Sequence, residues 1–154
     1  MARIRRCTSS ELLPLDGWSL AQSSAEVPDD LPLDLEWLPL DEPAPVAAAL
    51  RGHGRFGFEE PRALDDETWW YKCRLPAIGS RPGARTVLRL EGLATLAEVF
   101  LDGAPILRTD NMFHAHRIVL DAFASADRLS GTYPSAASQG DGQARVEHEL
   151  AIRF

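Results

Sequence analysis

A chain of 154 residues, 45% apolar and 25% charged, has the size and balance of one folded unit with a sizeable core, which excludes a wholly disordered or membrane-embedded chain. Its formal net charge of -7 argues against nucleic acid and anionic lipid as partners, because attachment to phosphate is driven mainly by clustered Lys and Arg. The basic start MARIRRC leads into TSSELLPLDGW, with no continuous apolar run of export-signal or membrane-spanning length, so a cytoplasmic location is expected.

Proline at 14, 28, 32, 39, 43, 45 and 61 cuts the first sixty residues into short pieces. GWSLAQ and LDLEWLPL are predicted strands; in the second, Leu33, Leu35 and Trp37 alternate with Asp34 and Glu36, the period of a half-buried strand. PAPVAAALRG is predicted as a helix of about two turns, with Pro near its start and Gly52 at its C-cap.

From residue 68 strands and turns dominate. TWWYKCRL puts Trp69, Tyr71, Cys73 and Leu75 on one face and Trp70, Lys72 and Arg74 on the other. GSRPGAR is a turn cluster, and in the TVLRL that follows Leu88 and Leu90 share a face. Asp102 and Gly103, between the apolar runs of LAEVFLDGAPILR, signal a tight hairpin, since both tolerate positive φ. RIVLDAF is a further strand. Residues 124–145, rich in Ser, Ala and Gly, offer little to bury and are read as a flexible insertion. HELAIRF alternates again, with His148, Leu150, Ile152 and Phe154 on one face, and reads as a strand at a cut end.

These elements predict an all-β fold, an antiparallel β-sandwich with one short helix. It is read as a single domain, 1–154, with core strands and helix in 17–123, the insertion at 124–145 and the last strand at 146–154. Cys7 and Cys73 are expected as free thiols, because nothing directs the chain to an oxidising compartment.

The stretch TDNMFHAH, residues 109–116, admits three readings. Asp110, His114 and His116 could form part of a metal site, the loop could be offered to a ligand, or it could be a packed corner before a strand. HxH in an extended segment places two imidazoles on one face, yet a metal needs further ligands and no other His or Cys lies close, so no metal and no cofactor is expected. Asp65, Asp66 and Glu67 resemble catalytic carboxylates in type alone, because adjacent residues on a turn cannot flank a scissile bond. Nothing here has the pattern of a nucleophile elbow, a zincin helix or a phosphate loop. Trp70, sharing its face with Lys72 and Arg74, is a candidate ligand or domain-interface residue, with core packing as the alternative.

DETWWYKCRL, VLRLEGLATLAEVFLDGAPILRTDNMFHAHRIVL and ELAIRF, taken in order, resemble the N-terminal sugar-binding domain of family 2 glycoside hydrolases, in the β-mannosidase branch. The likeness runs from about Trp18 to Phe154 and is weakest at 53–66 and 124–145. The resemblance implies a galactose-binding-like jelly roll, truncated at its C-terminus, that packs beside an immunoglobulin-like domain and a (β/α)8 barrel holding two catalytic glutamates. Neither glutamate maps onto this chain, so no catalytic residue is assigned.

In that setting TDNMFHAH resembles the loop and strand entry after the family's hairpin. Asp110 and Asn111 are expected to bond backbone in the turn, Met112 and Phe113 to tuck under the sandwich edge, and His116 to serve the loop structurally. Direct sugar contact is assigned as an expectation to Asn111 or His114. The leading functional reading is a non-catalytic fragment of a β-mannosidase-like enzyme that walls the active-site mouth, with carbohydrate as a partner in the full enzyme. The alternatives are a free-standing carbohydrate-binding module and an interaction remnant without a ligand.

Overall fold

Alternating apolar and polar residues become strands here wherever turn-forming residues bound them. The computed structural model describes residues 11–23, 35–57, 59, 62–75, 78, 85–123 and 148–154. The strands are β1 (Trp18–Ser23), β2 (Leu38–Leu40), β3 (Thr68–Leu75), β4 (Val87–Leu90), β5 (Ala97–Leu101), β6 (Ala104–Thr109), β7 (His116–Val119) and β8 (His148–Arg153), with one helix, α1 (Val46–Gly52). Single 3₁₀ turns occur at Leu64–Asp66 and Leu120–Ala122. Among the described residues no helix is long and apolar enough to cross a membrane.

The strands form a six-stranded antiparallel sheet in the order β2-β1-β3-β8-β5-β6 and a two-stranded sheet, β4-β7. This is the expected antiparallel architecture with one helix. Leu88, Leu90 and Leu120 join the inner face of the large sheet in one core. A single row of residues crosses all six strands on that face: Leu38, Leu20, Tyr71, Ile152, Val99 and Leu107. Leu20 and Val99 are fully enclosed, and each such aliphatic side chain contributes about 2 kcal/mol relative to an exposed position.

The opposite face is not polar throughout. Trp70, Phe100 and Ala151 are buried there, under Leu35 and Trp37. The central strand β8 consequently carries buried residues on both faces, Leu150 and Ile152 inward and Ala151 outward, where alternation alone predicts one. The segment before β2 differs similarly: its strand is confined to Leu38–Leu40, with Leu38 and Leu40 facing the core, while Leu35 and Trp37 cover the outer cluster. Register explains it, since Leu38 pairs with Leu20 and its neighbour must then point the other way.

The hairpin forms as predicted. Asp102 at φ 50 and Gly103 at φ 78 make the β5–β6 turn. Asp102 does more than turn the chain: its N–H donates to the Glu149 carbonyl at 2.9 Å, and its carboxylate accepts the Glu149 N–H at 2.8 Å and lies 2.6 Å from His148 Nδ1. The turn is thereby fastened to the start of β8. In α1 the helix runs through Gly52 to a cap at His53, and the left-handed residue is Gly54 at φ 68, two positions beyond the expected C-cap.

Each buried indole finds an acceptor: Trp18 donates to the Leu15 carbonyl, Trp69 to the Leu64 carbonyl and Trp70 to Ser23 Oγ, which removes the cost of burying an unpaired N–H. Both edges of the large sheet carry a proline, Pro39 in β2 and Pro105 in β6, and the β5–β6 register slips at Val99/Phe100. Cys73 is a free thiol, 2% exposed, and burial pushes it up to about 12, with Asp16 and Glu149 adding to the effect. Cys7, Leu33, Asp34 and the 124–145 insertion lie outside the described residues.

Tyr71 is buried in the core, donates from its hydroxyl to the Ala44 carbonyl at 2.7 Å, and is pushed by burial up to about 12. The unfolded phenol ionises near 10. Between the two values the folded chain holds a proton that the unfolded chain has lost, so this contribution is complete below about 10 and is lost as pH rises through about 12. Denaturant titrations across that window are expected to show a loss of roughly 3 kcal/mol that the Tyr71→Phe variant lacks.

Candidate functional site

The loop after the hairpin is shaped by short-range bonds. Thr109, 7% exposed at the end of β6, accepts the Asn111 N–H on its hydroxyl at 3.3 Å, and Asn111 Oδ1 accepts the Phe113 N–H at 2.9 Å. The second bond makes an Asx turn, in which the side chain stands in for a backbone carbonyl. Asn111 therefore performs the backbone role expected of it, and Asp110 stands exposed beside it.

The turn directs its apolar residues outward. Met112 is 49% exposed and Phe113 87% exposed, which overturns the expectation that they tuck under the sandwich edge. The reason is local: the Asx turn reverses the chain at 111–113, and the Met112 carbonyl rests against Gly92, where an added Cβ would come within 2.9 Å of it. Met112 Sδ lies 4.0 Å from Thr95 Oγ1, so the loop leans on segment 92–96, whose Leu96 is itself 71% exposed. Leu96, Met112 and Phe113 are thus all outward on two segments that touch, and are called the crown below.

His114 is exposed and His116 half-buried, their rings 6.5 Å apart and inclined at 71°. Among the described residues His116 Nε2, shielded from solvent, has no hydrogen-bond partner. Among the described residues no group of three His, Cys, Asp or Glu side chains is placed to hold a metal ion. Asp65 and Asp66 are exposed, whereas Glu67 is not a free acid: both its oxygens accept from Arg62 at 2.7 Å, and Arg62 reaches on to Gln22 Oε1.

Trp70 needs the larger correction. Its ring is 0% exposed, 5.4 Å from Phe100 and beneath the Arg153 guanidinium at 5.5 Å, so it offers no face to a ligand. It shares its face with Lys72 and Arg74 as alternation predicts, and of the two readings core packing is the one the structure shows, because Leu35 and Trp37 arrive from a distant segment to cover that face. Lys72 sits with its ammonium 4.1 Å above the Trp37 ring, one of several cations resting on aromatic faces here.

Beside the loop lies an open groove of about 790 Å³, bounded by Leu96, Glu98, Arg108, Asp110, Arg153 and Phe154 among others. Three of its polar residues, Arg153, Glu98 and Arg108, come from one row of the outer face, in which Trp70 pairs with Arg153, Arg153 with Glu98 and Glu98 with Arg108. Arg153 Nη2 donates to Glu98 Oε2, and Arg108 Nε lies 3.6 Å from Glu98 Oε1. Sequence reading misses this constellation, because nothing local brings positions 98, 108 and 153 together.

Comparison with known proteins decides the lineage. A family model described as glycosyl hydrolase 2 galactose-binding domain-like matches residues 18–145. The chain belongs to that family. Among known relatives, the protein named Beta-mannosidase B from Aspergillus flavus is 34% identical over 112 residues, covering 66% of this chain and 12% of the relative. Its namesake from Thermothelomyces thermophilus is 32% identical over 140 residues, covering 84% and 16%. The chain therefore spans less than a fifth of these relatives.

The same fold occurs in the crystal structure of a Beta-D-Mannosidase from Dictyoglomus thermophilum, with TM-score 0.65 at 22% identity over 94% of this chain and 16% of that one. A Beta-glucuronidase from Faecalibacterium prausnitzii gives TM-score 0.61 at 17% identity over 99% and 22%. At those identities the likeness speaks for the family's fold.

The contact of Gly92 with the Met112 carbonyl is a backbone contact that a side chain cannot swing away from. Gly92→Ala is expected to cost about 1–3 kcal/mol in denaturant unfolding and to move the amide resonances of residues 110–114 well beyond those of β1 and β2.

Proposed function

We propose that this chain forms the non-catalytic N-terminal jelly-roll unit of a β-mannosidase-like family 2 glycoside hydrolase, in which terminal β-mannosides are the substrate class. The unit walls the active-site mouth and docks on a (β/α)8 catalytic barrel, with an immunoglobulin-like domain as its other neighbour. Family membership and relatives named as β-mannosidases support the enzyme class.

The observation that carries the docking role is the crown of Leu96, Met112 and Phe113. These side chains are 71%, 49% and 87% exposed; Met112 and Phe113 stand on a loop that internal hydrogen bonds hold in place, and Leu96 on the segment against which that loop leans. A soluble domain that keeps large apolar groups outward on an ordered loop is suited to burying them against a partner. Asn111 and His114 stand in the same loop and would face the saccharide from the wall of the mouth. Hydrolysis by acid and nucleophile needs two carboxyl groups across one bond, and that chemistry belongs to the barrel.

Two measurements test the reading. The isolated chain is expected to release no chromophore from a nitrophenyl β-mannoside above the buffer blank, and turnover would transfer the chemistry to this chain. A solvatochromic dye is expected to brighten on the native chain and to lose most of that signal on the Leu96→Ser, Phe113→Ser double variant with its far-UV spectrum unchanged. Equal signals from the two proteins would remove the docking role.

A further inference from the structure

The outward side of the small sheet carries charges that work against its own pairing. In the β4–β7 register Val87 stands opposite Val119 and Arg89 opposite Arg117, while Leu88, Leu90 and Ile118 turn to the core. Like charges directly across an antiparallel pair destabilise it. Arg89 pairs with Glu91 two positions on, whereas among the described residues the Arg117 side chain has no ion pair or hydrogen bond. The ladder runs one step past Val87, where the Thr86 carbonyl accepts the Leu120 N–H at 2.9 Å. Arg85, exposed two positions before Val87, therefore prolongs the same side.

Val87 and Val119, 47% and 40% exposed, thus form an apolar pair with Arg85 at one end and Arg89 beside Arg117 at the other. The acids nearest along these strands are already engaged: Glu91 by Arg89, and Asp121 by the Thr86 N–H at 2.8 Å. On a chain of net charge -7 this side reverses the molecule's sign. Two features select its occupant. The exposed valines gain from burial only under an apolar group, which free phosphate or a nucleic-acid backbone does not supply. The chain's overall charge also opposes approach to surfaces as densely anionic as duplex DNA or an acidic membrane. Arginine takes carboxylates in paired hydrogen bonds, and arginine beside apolar groups is the composition enriched where proteins meet.

We propose that the outward side of β4–β7 is a docking surface for an acidic protein segment, with an apolar side chain over Val87 and Val119 and carboxylates on Arg117 and Arg85. None of these residues belongs to the crown, so this surface is additional to the proposed docking role. A partner's carboxylate set between Arg89 and Arg117 converts the repulsion of the free pair into attraction. A patch this small suits a short segment held transiently rather than a permanent subunit.

Amide spectra of the full chain, titrated with a short blocked peptide of alternating Glu and Leu, test it. The expected result is saturable binding that salt weakens, with shifts centred on Arg85, Val87, Arg89, Arg117 and Val119. Arg117→Glu should weaken binding about tenfold and leave the denaturation midpoint at or above the parent's, because it replaces a like-charge pair with an opposite one. The Leu96→Ser, Phe113→Ser double variant should bind as the parent does, which keeps this surface separate from the fate of the crown. No saturable shift, equal binding of the same peptide with Lys in place of Glu, or a lowered midpoint or undiminished binding in Arg117→Glu would overturn the proposal. Loss of binding in the double variant, or tighter binding of phosphatidylserine vesicles or a DNA duplex than of the peptide, would overturn it equally.

Discussion

The whole sheet depends on β8 being seated between β3 and β5. All six of its residues pair with β3, from Trp70 to Leu75, and four of them, Leu150 to Arg153, pair with β5, from Glu98 to Leu101, so one short segment completes two ladders. Without it the large sheet falls into two parts, β2-β1-β3 and β5-β6, each with an open edge through what is now the core. The partners lie about fifty to eighty positions away along the chain, and loop closure must be met before any of these bonds rewards it. That explains the elaborate fastening at the start of β8, where Asp102 takes hold of both His148 and Glu149. The hairpin turn, formed locally, is positioned to receive the distant strand.

The middle strand is covered on its outer face as well as its inner one, and this sets the character of the outer face. Ala151 sits between Lys72 and Phe100, with Trp70 close by, and Leu35 and Trp37 cover the patch. Where that cover ends, the row continues as Arg153, Glu98 and Arg108. The groove and the buried aromatic cluster are therefore two ends of one surface: the aromatics that need covering also hold the Arg153 guanidinium in place.

Local patterning made most of the strands legible. β3, β4 and the β5–β6 hairpin alternate cleanly, and Asp102–Gly103 is a turn whose backbone requirement is visible in residue type. What the pattern could not carry was the second partner of each face. Trp70 alternates with core residues and so reads as outward, which is true, yet outward is covered here. Met112 and Phe113 are apolar and read as inward, whereas the bond between Asn111 Oδ1 and the Phe113 N–H turns them to solvent. Glu98, Arg108 and Arg153 are unremarkable in isolation, and their meeting depends on cross-strand register that a linear reading does not contain.

The prolines at the two margins of the large sheet bear on how the protein behaves among copies of itself. Pro39 occupies the middle of the three-residue strand β2, and Pro105 lies in β6 where the pairing slips, in the same transverse row. Neither position can donate an amide proton outward, and the irregularity at Val99/Phe100 bends β6 away from a straight template. Edge-to-edge pairing of one molecule's sheet with the next, a route to fibrils, is disfavoured at both margins by the same chemical device. For a domain with Leu96, Met112 and Phe113 outward, these prolines shift contact with other molecules away from strand edges and toward side chains.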